Sequence, residues 1–378
     1  MFALQWVEVN LDHLEHNLEV MHRTCKPASI FAVIKGNAYN HGMIPVARML
    51  DGHHLVTHLA AGREEDAVLL RKEGITSPIL LLSPYFDENK IVANTITPTI
   101  TSVNDLHKLY LEVRKQECRK PYPFHLKINT GMNRFGLQPD ELETFLEVYK
   151  DYSRTLALEG CFSHLSNGLK NKASHSLKQK AVFEKTLETI RGKGIEITYA
   201  HLAASHVALG DSRFHFDAVR TGNALYGQAQ NSKQEFKHAL TWKTRIQDIY
   251  NVPAGESIGY GLSRPSKEKK RVAVIPVGTV DGLGLVRQAP PESVKDVIRQ
   301  ILKTGYHYLK APSPFQYGST PLRPLGKQGM EFTLLDITAH PDITIGSEVR
   351  INSSLFALPS QAEVVYVRDR KQVHASNY

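Results

Sequence analysis

Phe31-Ala-Val-Ile-Lys-Gly-Asn-Ala-Tyr-Asn-His-Gly42 is the stretch that decides the fold of this 378-residue chain. Four apolar residues with strand character lead directly into Lys35, and a turn rich in glycine and asparagine follows. Parallel α/β folds place their chemistry where buried strands end, so Lys35 is a candidate site residue. Burial lowers the pKa of a lysine amine, and the neutral amine is the form that attacks a carbonyl carbon. The alternative is a strand-end lysine that simply reaches solvent.

Strand-like and helix-like runs alternate outward from this stretch, from Trp6 to Arg220, at a spacing of roughly thirty residues. One of the helical runs covers 176–193. Such an alternation, with no low-complexity linker, predicts an α/β fold and favours an eight-fold (β/α) barrel over a doubly wound sheet. We assign the barrel to residues 1–238, with 1–10 as a strand that can pair with the following domain.

The sequence pattern changes at Ala239, where short strand-like runs separated by turns begin. These runs predict a mostly-β C-terminal domain over 239–378. The first predicted strand covers 240–249. A helical insertion near 290–303 interrupts the domain, and its helix is predicted over 291–302.

Bulk composition excludes several classes of protein. With 42% hydrophobic and 22% charged residues, the chain is an ordinary globular protein. The net charge of +8 is spread along the sequence, and its densest run, 267–271, is a solvated turn or an anion patch. We therefore expect no nucleic-acid partner. No long apolar run or basic leader is visible, which favours a cytoplasmic protein without a membrane partner.

Cysteine and histidine usage also narrows the function. The three cysteines, Cys25, Cys118 and Cys161, are widely spaced and odd in number, which argues for a reducing compartment and against a zinc site. The histidines are scattered, so we expect no metal. Further candidate site residues lie where predicted strands end, and each alone has a plain structural interpretation. They are Lys127, His164, Ser205 and Arg220.

Three strings in the barrel half resemble successive motifs of alanine racemases, which are fold-type III pyridoxal-phosphate enzymes. They are the opening stretch around Lys35, Lys127-Ile-Asn-Thr-Gly-Met-Asn-Arg134, and Val219-Arg-Thr-Gly-Asn-Ala-Leu-Tyr-Gly227. The resemblance implies that Lys35 binds pyridoxal 5′-phosphate and acts as a base. The other implied cofactor contacts are Tyr39 and Ser205 at the phosphate with the backbone of Gly222 and Asn223, His164 stacked on the ring, and Arg220 at the ring nitrogen.

The resemblance also implies the groups that meet the substrate. Arg134 would face the substrate carboxylate and the cofactor phenolate, steered by Lys127, which is often carbamylated in this family. Met330 would lie on the substrate side. Gly255-Glu-Ser-Ile-Gly-Tyr-Gly261 is similar to a family motif that makes Tyr260 the second base, acting in the partner subunit of a homodimer. The plain alternative is a turn tyrosine packed between glycines.

The sequence also departs from the family pattern, which makes it a divergent member. Gly36 and Asn40 replace residues that are usually alanine and glycine, and Ala204 replaces an asparagine. Thr279 stands where a tyrosine is usual, and 352–358 shows no counterpart of the late tyrosine that contacts the phosphate. Gly329-Met-Glu331 replaces Cys-Met-Asp. The segment 285–325 is longer than usual. We therefore expect an amino-acid racemase whose natural substrate need not be alanine. A fold-type III decarboxylase and a non-catalytic pyridoxal-phosphate protein are the alternatives.

Overall fold

The computed structural model describes residues 4–166, 169–229, 235–260, 265–285, 291, 293–310, 313–352, 362–369 and 371–373. The chain divides into two compact units. The barrel unit is Asn10–Ala239, and the β unit combines the described part of Met1–Val9 with Leu240–Val373. The predicted fold class, an eight-fold barrel followed by a mostly-β domain, is confirmed.

Eight parallel strands form the barrel. They are β2 (Ser29–Val33), β3 (His58–Ala61), β4 (Ile79–Leu81), β5 (Thr99–Ile100), β6 (Tyr122–Lys127), β7 (Leu156–Phe162), β8 (Tyr199–His201) and β9 (Ala218–Thr221). They pair as two groups of four, in the orders β4-β3-β2-β9 and β5-β6-β7-β8. Parallel bridges from Leu80 to Thr97 and from Ala204 to Arg220 join the groups. The carboxyl ends of all eight strands therefore meet on one rim.

Helical segments precede or follow the barrel strands, and the longer ones bury an apolar face. They are α1 (Leu11–Cys25), α2 (Lys35–Asn40), α3 (Met43–Leu50), α4 (Glu64–Lys72), α5 (Glu88–Ala93), α6 (Val103–Lys115), α7 (Leu142–Tyr152), α8 (Leu169–Gly192) and α9 (Ser205–Gly210). Of these, α2 is a left-handed turn that buries only Ala38. The Asn10 side chain accepts a 3.0 Å hydrogen bond from the His13 amide and so caps α1. The helix predicted over 176–193 begins earlier, at Leu169. The sequence does not predict α5, because six residues show too little periodicity.

The β unit is built on one ten-stranded sheet. Its strands are β1 (Gln5–Asn10), β10 (Leu240–Arg245), β11 (Asp248–Val252), β12 (Lys270–Ile275), β13 (Phe315–Tyr317), β14 (Thr320–Leu325), β15 (Thr333–Asp336), β16 (Glu348–Ile351), β17 (Glu363–Arg368) and β18 (Lys371–Val373). The prediction of one strand over 240–249 is wrong, because the chain turns at a buried Ile246 without a glycine or proline signal. The sequence does not predict β14, because two of its six residues are proline, which is unusual inside a strand.

One long helix interrupts the β unit. It is α10 (Val294–Lys310), whereas the sequence predicts a helix over 291–302. Among the helices that the structure describes, none is long and apolar enough to span a bilayer. Cys25 and Cys161 are buried and Cys118 is exposed, and all three are free thiols.

Candidate active site

A cavity of about 220 Å³ opens where the barrel strands end. It brings together every barrel residue predicted for the site. These are Lys35, Tyr39, Lys127, Arg134, His164, Ser205, Arg220, Gly222 and Asn223. The remaining lining residues were not predicted as site residues; they are Val33, Leu82, Phe162, Ala204 and His206.

The cavity lining is cationic. It contains Lys35, Lys127, Arg134 and Arg220 but no carboxylate. Burial, with the charges of Arg134 and Arg220, lowers the pKa of Lys35. Burial and the same neighbours lower the pKa of Lys127 to about 7. Such a cavity favours neutral amines and anionic ligands.

Lys35 begins a left-handed turn. Gly36, Asn37, Ala38, Tyr39 and Asn40 all have φ between 52° and 67°. This conformation costs L-residues roughly 1–2 kcal/mol each, and only glycine and, to a lesser degree, asparagine adopt it readily. The departures from the family pattern at Gly36 and Asn40 therefore place tolerant residues in the turn. The side chain of Asn37 accepts from the Met43 amide at 2.8 Å and so holds the turn.

Gly62, which was not predicted as a site residue, leaves space for the side chain of Lys35. It lies directly after β3, and a Cβ there would come within 2.7 Å of the Lys35 Cβ. Any side chain at this position would displace the lysine. A glycine after a strand was the only available signal.

Tyr39 is held rigidly beside the cavity. Its ring stacks on Tyr226 with centroids 4.8 Å apart, and the Tyr226 hydroxyl donates to the Val33 carbonyl at 3.1 Å. Burial raises the pKa of Tyr39 to about 12, so its hydroxyl remains a donor at neutral pH. Gly222 faces this hydroxyl, and a Cβ on Gly222 would lie 2.4 Å from the Tyr39 oxygen. Only glycine permits this approach.

Ser205 is oriented by the backbone of the β9 loop. Its oxygen accepts from the Gly222 amide at 2.9 Å and the Ala224 amide at 3.2 Å. Both lone pairs are then occupied, so the hydroxyl proton is left to donate. The Gly222 amide thus acts through Ser205.

A directed chain of hydrogen bonds runs from Arg220 into the barrel interior. Arg220 Nη1 lies 2.6 Å from His201 Nδ1, His201 Nε2 lies 2.9 Å from His125 Nδ1, and His125 Nε2 lies 3.2 Å from Glu159 Oε2. A guanidinium only donates, so His201 must accept at Nδ1 and hold its proton on Nε2. The same logic places the His125 proton on Nε2, donated to Glu159. None of the three residues that extend this chain from Arg220 was predicted.

The charges at the two ends of this chain are opposite. Burial lowers the pKa of Arg220 to about 9, which leaves it charged at neutral pH. Partial burial raises the pKa of Glu159, but hydrogen bonds from His125 and His58 outweigh it and lower that pKa to about 2. Burial lowers the pKa of His125 and of His201, so both imidazoles between the charges are neutral.

His58, His125 and Glu159 offer potential metal ligands within 4.8 Å of one another. The chain from Arg220 decides against this use of the group. It requires a proton on His125 Nε2, the atom that would face the cation. Within the described residues, we therefore read this group as the end of the Arg220 network.

His164 and Lys127 complete the cavity wall. His164 Nδ1 lies 3.3 Å from Arg220 Nη2 and therefore accepts. Burial and the surrounding cations, Arg220 foremost, lower the pKa of His164 to about 3 and keep the ring neutral. Lys127 Nζ lies 3.4 Å from the ring centre of Phe135, and the Arg134 guanidinium lies 5.0 Å from the same ring. Phe135 thus contacts both cations.

Tyr260 and Met330 belong to the β unit and not to the barrel cavity. They are 72% and 71% exposed. Tyr260 pairs with Lys327 in a short bridge, and the Met330 carbonyl accepts from the Val280 amide at 3.1 Å. The exposed Val280 and Phe332 lie beside them, and we name these four apolar residues the Tyr260 surface. The late tyrosine sought in 352–358 lies outside the described residues, apart from Asn352.

Comparisons with known proteins agree across the whole chain. A family model described as alanine racemase, N-terminal domain, matches residues 9–230, and one described as alanine racemase, C-terminal domain, matches 239–364. The alanine racemase of Carboxydothermus hydrogenoformans is 34% identical over 284 residues, covering 73% of this chain and 76% of that protein. Alanine racemase 1 of Clostridium acetobutylicum is 28% identical over 372 residues, covering 95% and 90%.

Solved structures share the fold. The alanine racemase of Clostridium difficile 630 has a TM-score of 0.82 at 24% identity, covering 99% of this chain and 98% of that one. The alanine racemase of Bartonella henselae with covalently bound pyridoxal phosphate has a TM-score of 0.75 at 20% identity, covering 97% and 100%.

Proposed function

The chain belongs to the alanine racemase family and is a pyridoxal-phosphate-dependent amino-acid racemase, and we propose that Lys35 and Tyr260 exchange the α-proton. The observation that carries this proposal is the cavity that joins Lys35 to three further cations without a carboxylate. A neutral amine in such a cavity can bind an aldehyde, and the cations suit a ligand that bears a phosphate and a phenolate.

The residues present fit the cofactor. Tyr39 and Ser205 line the cavity, and each has a hydroxyl that can donate, which suits the phosphate. The neutral ring of His164 suits stacking, and Arg220 suits the ring nitrogen. When bound, pyridoxal phosphate would withdraw electrons from the α-carbon and so acidify its proton.

Arg220 limits how much electron density is withdrawn. A guanidinium does not give up its proton, so Arg220 would leave the ring nitrogen of a bound cofactor unprotonated. The chain to Glu159 supports this role of Arg220. Arg220 donates to His201, His201 donates to His125, and His125 donates to Glu159, so the guanidinium stays protonated. A weak electron sink favours return of the proton over transamination, which suits racemisation.

Two groups on opposite faces of the α-carbon would move the proton. Lys35 Nζ takes the proton from one face while the Tyr260 hydroxyl donates a proton to the other, and the reverse reaction exchanges these roles. We assign Arg134 to the substrate carboxylate and Met330 to the substrate side. Lys127, neutral in part near pH 7, can react with carbon dioxide, and the resulting carbamate would pair with Arg134.

The exposure of Tyr260 supports a homodimer. Its surface is apolar, and such patches typically mark contacts with another protein. A second copy that covers the Tyr260 surface would let the phenol act in the partner subunit's cavity. The free thiols support a cytoplasmic location.

Racemisation itself tests the proposal. Purified protein with pyridoxal phosphate is incubated with alanine and a panel of larger L-amino acids, and chiral chromatography measures the D-isomers. We expect D-product from at least one amino acid, and the panel identifies the preferred substrate. No D-product from any of them would refute the proposal, whereas release of carbon dioxide would favour the decarboxylase alternative.

A further inference from the structure

Helix α10 exposes its apolar face to solvent. Its aliphatic residues recur at helical spacing and are between 41% and 75% exposed. They are Val294, Val297, Ile298, Ile301 and Leu302. On the other side of the helix, Asp296 and Gln300 are half-buried. These two polar residues are therefore the least exposed described side chains of the helix, and the apolar side faces solvent.

This arrangement is the reverse of that in the barrel helices. In α7, the residues at the same spacing, Leu142, Phe145, Leu146 and Tyr149, are all buried. A helix of α10's length gains most of its stability from packing of its apolar face. The exposed face of α10 therefore needs an occupant.

Charge indicates which occupant fits. The helix sequence contains Lys295, Arg299, Lys303 and Lys310 against the single acid Asp296. Lys295 and Arg299 are four residues apart and form a row beside the apolar face. A second copy docked antiparallel on this face would bring the same basic row together, which is unfavourable. An anionic lipid surface would instead attract it.

We propose that α10 docks the enzyme on an anionic lipid bilayer, which replaces the expectation from the sequence of no membrane partner. The helix lies in the plane of the headgroups, with Ile298, Ile301 and Leu302 in the acyl boundary and Lys295 and Arg299 at the phosphates. A strongly amphipathic helix with cations on its polar side binds membranes in this way without spanning them. The chain's net charge of +8 adds long-range attraction.

Vesicle sedimentation of the protein loaded with pyridoxal phosphate tests the proposal. We compare phosphatidylcholine vesicles with vesicles that also contain phosphatidylglycerol. The enzyme should bind the mixed vesicles at least about tenfold better, and added salt should weaken binding. The double variant Ile301→Asp/Leu302→Asp should lose at least about tenfold in binding, and Lys295→Glu/Arg299→Glu should lose the preference for anionic lipid. Leu111→Asp, on an exposed barrel position, is the matched control and should bind normally.

Racemase activity in solution shows whether each variant is folded, and light scattering reports its mass. No sedimentation with the mixed vesicles would overturn the proposal, and so would binding that Ile301→Asp/Leu302→Asp leaves unchanged. A lower particle mass for that double variant, with no vesicle binding by the parent protein, would assign the face to a second copy instead.

Discussion

The barrel cavity and the Tyr260 surface differ in how the structure holds their functional groups. In the cavity, Lys127 and Arg220 are almost completely buried, and Arg220 donates to acceptors fixed around it. On the Tyr260 surface, the tyrosine and Met330 are mostly exposed. The first region is preorganised, and the second is not.

This difference implies that the cavity binds the cofactor and that the Tyr260 surface contributes to proton transfer. Buried cations with fixed partners can hold an anionic cofactor by themselves, because the desolvation cost is already incurred on folding. A phenol in water is a poor base near neutral pH. The Tyr260 hydroxyl must therefore meet the cations of a cavity, which stabilise a phenolate, before it can act as a base. Variants in the two regions should consequently fail in different ways.

Lys35→Ala should have the largest effect. It removes both the covalent anchor for the cofactor and one base, so racemisation should fall by at least about 10⁴-fold. Chiral chromatography measures the loss, and the visible absorbance of bound cofactor should change as well. Lys108→Ala, at an exposed lysine of the same unit, is the control. Residual activity within tenfold of the parent would exclude Lys35 from both roles.

Tyr260→Phe should lower racemisation by about 10²–10⁴-fold, since one face of the α-carbon loses its proton carrier. Cofactor affinity should stay unchanged, because the barrel cavity is intact. Tyr306→Phe, another exposed tyrosine of the β unit, is the control.

Mixing the two inactive variants sharpens the comparison. If each cavity uses a tyrosine from the partner subunit, exchange between Lys35→Ala and Tyr260→Phe subunits creates one intact site per mixed dimer. Activity should then reappear on mixing. Persistent inactivity after demonstrated subunit exchange would argue against shared sites.

Much of the barrel could be predicted from the sequence. Its strands are short apolar runs at regular spacing, and parallel strands bring their carboxyl ends to one rim whatever their order. The sequence therefore predicts that Lys35, Lys127 and Arg220 lie close together. The left-handed turn was signalled only as a cluster of glycine and asparagine.

The residues behind the cavity could not be predicted in this way. Glu159, His125 and His201 lie on three strands, and only closure of the barrel brings them into one chain with Arg220. The outward face of α10 was also hidden, because periodicity defines an apolar face but not the direction in which it points.

Substitution of two glycines near the cavity should affect cofactor affinity and protein stability separately. Gly222→Ala would push a methyl group against the Tyr39 hydroxyl, so the dissociation constant of pyridoxal phosphate should rise about tenfold. Gly36→Ala meets no neighbouring atom but must adopt a positive φ, so it should cost about 1 kcal/mol of stability and change affinity little. Cofactor titration and thermal unfolding measure the two effects. A weaker cofactor affinity for Gly36→Ala than for Gly222→Ala would contradict this division.

Lys127→Met should shift the melting temperature by only a few degrees, in a way that depends on pH. Burial lowers the pKa of Lys127 to about 7 in the folded protein, whereas an unfolded lysine titrates near 10.5. Below pH 7 both states are protonated, and the folded state bears the full cost of a buried charge. Between pH 7 and 10.5 the folded state loses its proton first, so the cost declines as pH rises. In buffer free of carbon dioxide, the variant should melt a few degrees above the parent at pH 6 and nearly match it at pH 10. A difference that is constant with pH would mean that Lys127 is not the buried amine that titrates.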